Sequence, residues 1–189
     1  MADATTAPAP KPATGIKAIA QGRSDLHRVD PKLIQVREGW NCRDFSDPEN
    51  MDHVNRLVES IRSEGVKEPL TVEMDGETPF LTNGECRLRA VMTLIESGHE
   101  VKTVPVQVER KIGGDADRMV AQITRNAGKP FTALENAELF TRLTDAGLTT
   151  RDIADKSGYT IERVRQLLAL AKATPATKKA IQSGDVAAT

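Results

Sequence analysis

The sequence predicts an α+β domain followed by an all-α domain, and two observations support this division. Short apolar runs typical of β-strands occur at 70–72 and 104–108, and none follows residue 112. Patterns with helical spacing continue beyond that point. We therefore expect a disordered tail over residues 1–22, an α+β domain over 23–112 and an all-α domain over 113–189.

The composition is typical of a soluble folded protein. Apolar residues make up 39% of the chain and charged residues 28%. No apolar run has the length that a membrane span needs, so we expect no membrane partner. The two cysteines, Cys42 and Cys86, are too few for a disulfide framework. A reducing, cytoplasmic location is the expectation.

Charge is unevenly distributed along the chain. Residues 1–110 hold 14 Lys and Arg against 18 Asp and Glu, whereas residues 111–189 hold 12 against 9. The mildly basic second part is suited to contacts with phosphate groups. Solvated surface charge explains the same imbalance, so this observation alone does not separate the two interpretations.

The first part contains the signals for strands and two helices. We expect a turn and then a short strand over 30–36, and a hairpin around Asp75-Gly76. Ser46-Asp47-Pro48 marks the start of a helix that ends at Gly65. The predicted buried face of that helix comprises Met51, Val54, Leu57, Val58 and Ile61. After Gly84 a second helix carries Leu88, Val91, Met92 and Ile95.

The second part is predicted to be helical throughout. Residues 115–126 have helical spacing. Thr132 and Glu135 form a capping box that opens another helix, which extends to about residue 146.

Residues 150–169 have the most specific local pattern, that of a helix-turn-helix. Two helices that cross closely need a small residue at the contact and a turn residue that tolerates positive φ. Ala154 and Gly158 meet these needs, and Thr149 and Thr160 can cap the two helices. The apolar side of the second helix comprises Ile161, Val164, Leu167 and Leu168.

The polar side of the second helix predicts contacts with duplex DNA. Arg and Gln side chains near the start of such a helix read guanine and adenine in the major groove. The candidate DNA-binding residues are Thr149, Thr150, Thr160, Arg163, Arg165, Gln166 and Lys172. The alternative is a plain helical hairpin with a solvated polar face.

A strand joins a helix through Thr82-Asn83-Gly84-Glu85, which predicts an anion site. The start of a helix presents free N–H groups to an anion, and Arg87 and Arg89 add positive charge. A capped helix with surface ion pairs is an equally good explanation from local physics.

The segment from Gly84 to Ala90 resembles the Gly-Glu-Arg-Arg-x-Arg-Ala box of ParB-family proteins. Residues 41–45 and 60–70 are similar to two further family motifs, and the helix-turn-helix follows at the family's distance. The resemblance spans residues 28–188. It implies a ParB/sulfiredoxin-like N-terminal domain followed by a helix-turn-helix domain.

The resemblance implies that the chain binds CTP. The implied nucleotide-binding residues are Arg43, Gly84, Glu85, Arg87, Arg89, Asn126 and Lys129. Two departures matter: Cys86 replaces an arginine of the box, and Arg125 replaces the acid of a second motif. Losing that acid removes a hard oxygen ligand for Mg²⁺, so the departure argues against a metal and against more than weak CTP hydrolysis.

Cys86 raises an enzymatic alternative, because sulfiredoxin carries a catalytic cysteine in the corresponding turn. Here the cysteine lies one residue later, and one helical residue rotates a side chain by about 100°. We therefore expect Cys86 to point away from the anion. A small residue tolerated in the turn is the favoured interpretation, although Arg87 and the start of a helix can lower the pKa of a thiol.

Three functions follow from these patterns. The first is a ParB-like, sequence-specific DNA-binding protein for plasmid, phage or chromosome partition, regulated by CTP. The family resemblance implies a ParA-type ATPase partner, a homodimer joined through the N-terminal domains, and association with a nucleoid or plasmid. The second is a transcriptional regulator with a degenerate nucleotide site. The third is a nuclease or phosphotransferase of the same fold, which lacks a convincing set of metal-binding acids.

Overall fold

The computed structural model describes residues 26–37, 39, 41–110, 113–125 and 129–185. The predicted tail over 1–22 and the predicted nucleotide-binding residue Asn126 lie outside these ranges. None of the helices in the described ranges has the length and apolar character needed to cross a membrane.

A mixed sheet with the strand order β1-β4-β2-β3 forms the centre of the first part. Its strands are β1 (Leu26–Val29), β2 (Leu70–Asp75), β3 (Thr78–Asn83) and β4 (Val104–Glu109). β2 and β3 pair as the antiparallel hairpin predicted around Asp75-Gly76. β2 runs parallel to β4, and β1 pairs antiparallel with the other edge of β4.

Two helices pack on this sheet. Helix α1 (Pro48–Glu64) begins at Asp47, whose side chain accepts a hydrogen bond from the backbone N–H of Glu49, and ends at Gly65 with φ 72°. Helix α2 (Glu85–Glu96) follows Gly84. Both helices and the α+β class of this part are confirmed.

Two local predictions were wrong. Of the turn and short strand predicted over 30–36, the turn is present as a 3₁₀ helix at Pro31–Leu33 capped by Asp30, but the strand is reduced to a single bridge from Gln35 to Phe80. Met51 does not belong to the buried face of α1, since it is 52% exposed. It lies in the first turn of the helix, at the end of the predicted buried face.

The second part is helical where the structure describes it. Its elements are α3 (Asp115–Arg125), α4 (Ala133–Asp145), α5 (Thr150–Ser157), α6 (Ile161–Ala171) and α7 (Pro175–Gln182). The capping box between Thr132 and Glu135 is present at the start of α4, and a second one joins Thr149 to Asp152 at the start of α5.

Two apolar clusters form the core. The first lies between the sheet, α1 and α2, and it includes Leu70, Val91 and Val106. The second lies among the helices of the second part and includes Phe140 and Leu167. Cys42 precedes α1 in the chain but belongs to the second cluster, so the segment before α1 packs against the helical part.

A buried ion cluster joins α3 to the sheet. Glu73 of β2 is 2% exposed, and its Oε1 lies 2.7 Å from Arg37 Nη1 and 3.3 Å from Arg118 Nη2. Neither contact has the angles of a hydrogen bond, so charge attraction is the main interaction. A buried carboxylate is costly unless cations compensate it, and this requirement holds α3 against β2.

Replacing Arg118 should therefore destabilise the fold. We expect Arg118→Ala to lower the free energy of unfolding by about 3 kcal/mol, because Glu73 would keep only Arg37 as a partner. Urea unfolding followed by circular dichroism measures this. The matched control is Arg151→Ala, since Arg151 is 82% exposed and lies 4.0 Å from Asp155; its effect should stay within about 0.5 kcal/mol. Equal effects of the two substitutions would contradict the role of Arg118.

Candidate functional site: a cationic cavity and an exposed helix face

Gly84 makes the sharp turn between β3 and α2. Its φ is +100°, a backbone conformation that residues other than glycine rarely adopt. A Cβ atom here would lie 2.7 Å from Leu70 Cδ2 and 3.2 Å from Arg87 Nη2. The positive φ is the main reason for glycine here, because the two close approaches are to the ends of flexible side chains that can shift.

This turn forms one wall of a cavity of about 350 Å³. The other walls come from the segment before α1, from α1 itself, from the end of α3 and from the start of the segment before α4. The lining residues are Asn41, Arg43, His53, Leu57, Glu68, Leu81, Thr82, Asn83, Gly84, Glu85, Cys86, Arg87, Gln122, Arg125, Lys129 and Phe131. Four lining residues are arginine or lysine and two are acidic, so the cavity is suited to an anion.

Arg87 is fixed on the floor of the cavity. Its Nη1 donates hydrogen bonds of 2.8 Å to the backbone carbonyls of Glu68 and Pro69. Burial lowers the pKa of the guanidinium, although the carboxylate of Glu68 acts in the opposite direction. Arginine remains charged under such conditions, and a planar donor group held in this way is suited to phosphate oxygens.

A buried polar network places Arg43 and Lys129 on the opposite wall. Asn50, which is 1% exposed, accepts hydrogen bonds from Arg43 Nη1 at 3.1 Å and from Lys129 Nζ at 2.7 Å. Arg43 also donates to the carbonyl of Lys129 at 2.6 Å and lies over the ring of Phe131. The network brings two residues that are 86 positions apart in sequence into one wall.

Glu85 and Arg89 form an ion pair of 2.7 Å along α2. Arg89 lies over the ring of Phe45, 3.7 Å from its centroid, and is not among the residues that line the cavity. The cavity therefore brings together Arg43, Gly84, Glu85, Arg87 and Lys129 of the seven predicted nucleotide-binding residues. Asn126 lies outside the described residues.

Cys86 corrects an expectation. It lines the cavity, so its side chain does not point away from the proposed anion site. The φ of Gly84 sets the orientation of the first turn, and a rotation count along an ideal helix cannot anticipate that. Burial raises the pKa of the Cys86 thiol, with a smaller opposing effect of Arg43. This direction disfavours the thiolate that a nucleophilic cysteine needs.

The described side chains do not fit a metal ion. Within the described ranges no group of three or more His, Cys, Asp and Glu side chains could hold one. Arg125, where the resemblance would place an acid, lines the cavity with a guanidinium. Hard oxygen ligands of the kind that Mg²⁺ prefers are replaced there by a cation.

Sequence reasoning gave no site role to several of the lining residues, among them Asn41, His53 and Gln122. Asn41 Nδ2 donates to Glu85 Oε2 at 2.9 Å. The pKa of His53 is lowered, first by burial and then by the charges of Lys129, Arg43 and Arg56. His53 lies on α1 at a position with no motif, so the sequence contains no signal that points to it.

Helices α5 and α6 form the second candidate site. Gly158 ends α5 with φ 76°, and the buried residues Ile153, Ala154, Val164 and Leu167 close the contact between the helices. Thr160 caps α6 by accepting a hydrogen bond from the N–H of Arg163. Its hydroxyl hydrogen can still donate to an anion. Ile161 was predicted on the apolar side of α6, but it is 38% exposed.

The opposite face of α6 is polar and accessible. Arg165, Gln166 and Lys172 are exposed, and Arg163 is half-buried. Arg163 Nη1 donates to Gln166 Oε1 at 3.2 Å, and Arg165 lies 3.8 Å from Glu162. Such surface contacts are weak and exchange readily for other partners. Thr149 is exposed and Thr150 half-buried at the start of α5.

The fold and these two sites define a class of protein: an α+β part and a helical part that together line a cationic cavity, with an exposed polar helix face on the helical part. No protein-family model matches the chain. It is 28% identical over 168 residues to the probable chromosome-partitioning protein ParB of Coxiella burnetii, covering 88% of this chain and 54% of that protein. It is 26% identical over 137 residues to the chromosome-partitioning protein Spo0J of Thermus thermophilus, covering 72% of this chain and 49% of that protein.

A solved structure has the same fold. The C-terminally truncated ParB of Caulobacter crescentus, bound to the centromeric parS site, matches with a TM-score of 0.53 and 20% identity, over 86% of this chain and 80% of that one. The chain spans about half the length of the curated relatives it matches. Sequence similarity and fold together confirm the resemblance to the ParB family that the motifs indicated.

The raised pKa of Cys86 leads to a prediction about its reactivity. We expect iodoacetamide to modify Cys86 more slowly in the folded protein at pH 8 than in the urea-unfolded chain, because less thiolate is present. The rate should rise as the pH increases above 8. Cys42, whose pKa burial raises to about 11, should react more slowly still. Peptide mass spectrometry over time measures both rates, and faster modification of Cys86 in the folded state would refute this account.

Proposed function

We propose that this chain is a ParB-like DNA-binding protein that also binds CTP. The observation that carries the DNA part is the two-sided character of α6. Val164 and Leu167 are buried against α5, while Arg165 and Gln166 are exposed on the opposite face. A helix held on one side and open on the other has the form of a recognition helix.

The proposed DNA contacts divide into two kinds. Arg163, Arg165 and Gln166 would reach base edges in the major groove. Thr149, Thr150, Thr160 and Lys172 lie near the ends of α5 and α6, where backbone N–H groups, hydroxyls and an ammonium group can hold phosphates.

The cationic cavity supports the nucleotide part of the proposal. Arg87 beside the start of α2, with Arg43 and Lys129 on the facing wall, offers donors to a triphosphate from two directions. Leu57, Leu81 and Phe131 give the cavity an apolar portion, as nucleotide sites require. The choice of CTP rests on the ParB resemblance.

Partition is the biological role that this proposal favours, because both curated relatives bear the name of chromosome-partitioning proteins. The family resemblance adds plasmid or phage partition as a possible setting. It also adds a ParA-type ATPase as a partner and a homodimer that closes through the N-terminal units of two protomers. These partners belong to the proposal.

A transcriptional regulator is the second candidate. Cys86 and Arg125 stand where the ParB motifs have an arginine and an acid, and these departures favour a degenerate nucleotide site. A regulator would bind the same DNA through α6 with an affinity that CTP does not alter.

Removing the polar face of α6 should strongly weaken specific DNA binding. We expect the triple substitution of Arg163, Arg165 and Gln166 by alanine to weaken binding by at least about 100-fold, since each of the three base contacts contributes roughly 1–3 kcal/mol. The DNA is a duplex selected from random sequences for binding to this chain. The salt dependence of the binding constant should become shallower by up to about two units, because two cations are lost. Fluorescence anisotropy over a range of salt concentrations measures both effects.

Lys102→Ala is the matched control, since Lys102 is 81% exposed and lies next to β4, away from α6 in the chain. It should leave affinity and salt dependence unchanged. If the triple variant binds as tightly as the control, with the same salt dependence, the DNA part of the proposal is wrong.

Lys129 tests the nucleotide part without disturbing the Gly84 turn. We expect Lys129→Ala to weaken CTP binding by about 10- to 100-fold, the usual effect of losing one charge-assisted hydrogen bond. Isothermal titration calorimetry of the full chain, with and without the selected duplex, measures it. The inorganic anion tripolyphosphate and the triphosphates of the other nucleosides serve as competitors that separate phosphate recognition from base recognition.

Arg62→Ala is the control for this experiment, because Arg62 lies on α1, is 49% exposed and pairs with Glu59 away from the cavity lining. It should bind CTP like the original chain. Tight DNA binding with no CTP binding at all would favour the regulator.

A further inference from the structure

The cavity wall carries more positive charge than its acids offset. Both acids of the lining have partners. Glu85 accepts a hydrogen bond from Asn41 and forms an ion pair with Arg89. Glu68 is 83% exposed, and its carboxylate lies 3.5 Å from Arg87. The Lys129 ammonium is 14% exposed and is held mainly by the neutral amide of Asn50, while its acidic neighbour Glu49 is 73% exposed. The charge of Lys129 is therefore only weakly compensated.

Arg125 is oriented towards the cavity by a carboxylate behind it. Arg125 Nη1 lies 2.7 Å from Glu109 Oε2 and 2.8 Å from Oε1. Glu109 closes β4, is 16% exposed and is not among the lining residues, whereas Arg125 is 34% exposed and lines the cavity. The ion pair fixes the guanidinium at the end of α3, and both contacts with Glu109 are made by Nη1.

We propose that the cavity binds its polyphosphate ligand without a divalent cation, with Arg125 and Lys129 supplying the positive charge. This inference rests on the proposed nucleotide binding and specifies its chemistry. A guanidinium donates to two phosphate oxygens at once and an ammonium acts as a point charge. A divalent ion would need hard oxygen ligands and would lie close to two fixed cations, which repel it.

The first test compares CTP binding by the full chain in MgCl₂ and in EDTA. Isothermal titration calorimetry should give dissociation constants that agree within about threefold, because the protein's own cations compensate the phosphates. CTP binding that occurs only with Mg²⁺ overturns this inference and leaves the proposed function standing. An absence of CTP binding in both buffers overturns the nucleotide part of the proposed function, and this inference with it.

Substitutions of Arg125 test whether its guanidinium supplies the positive charge that replaces the divalent cation. Arg125→Gln should weaken CTP binding in EDTA by at least about tenfold. Arg125→Glu, which places a second carboxylate beside Glu109, should abolish binding in EDTA and restore part of it in MgCl₂. Arg62→Gln, on α1, is the control and should leave the CTP dissociation constants in EDTA and in MgCl₂ unchanged.

Thermal melting of each variant shows whether it is folded. If Arg125→Glu does not fold, Arg125→Gln still decides the test. Unchanged affinity of folded Arg125→Gln in EDTA would remove Arg125 from the site. A folded Arg125→Glu that binds CTP equally in both buffers would likewise overturn the proposal.

Discussion

The hydrogen bonds of Asn50 are the constraint on which the two parts of the molecule depend. Its amide donates to the carbonyl of Asp44 and to Glu135, each at 2.8 Å, and accepts from Arg43 and Lys129. Glu135 is 4% exposed and also closes the capping box of α4. Because every one of these groups is costly to bury alone, the network fixes α1, the segment before it and α4 together, and the cavity lies along this junction.

Helix α3 connects the remaining parts. Its Arg118 compensates the buried Glu73 of the sheet, its Asp117 lies 3.0 Å from Lys156 of α5, and its last residue, Arg125, lines the cavity. The Asp117 contact is exposed and contributes little, whereas the Glu73 contact is buried and holds the helix in place. Helix α3 is therefore anchored to the sheet, contacts α5 and places its last residue in the cavity lining.

The local elements were largely predictable because their signals lie in neighbouring residues. Asp47 before Pro48, the capping box at Thr132 and Gly158 after Ala154 each determine a helix end through contacts within a few positions. The short strand expected after the turn in 30–36 was wrong for the opposite reason. Gln35 bridges to Phe80, 45 positions away, and nothing in the segment itself shows whether that partner is within reach.

The sequence by itself determined the helices, the hairpin, the Gly84 turn and the two-sided pattern of α6, since periodicity and capping are properties of short segments. Only the tertiary structure decided that Arg43 and Lys129 share a wall, that His53 and Cys86 line the same cavity, and that Arg89 lies over Phe45 instead. Those placements depend on which distant groups compensate a buried charge or amide, and that choice is made by the packing of the whole chain.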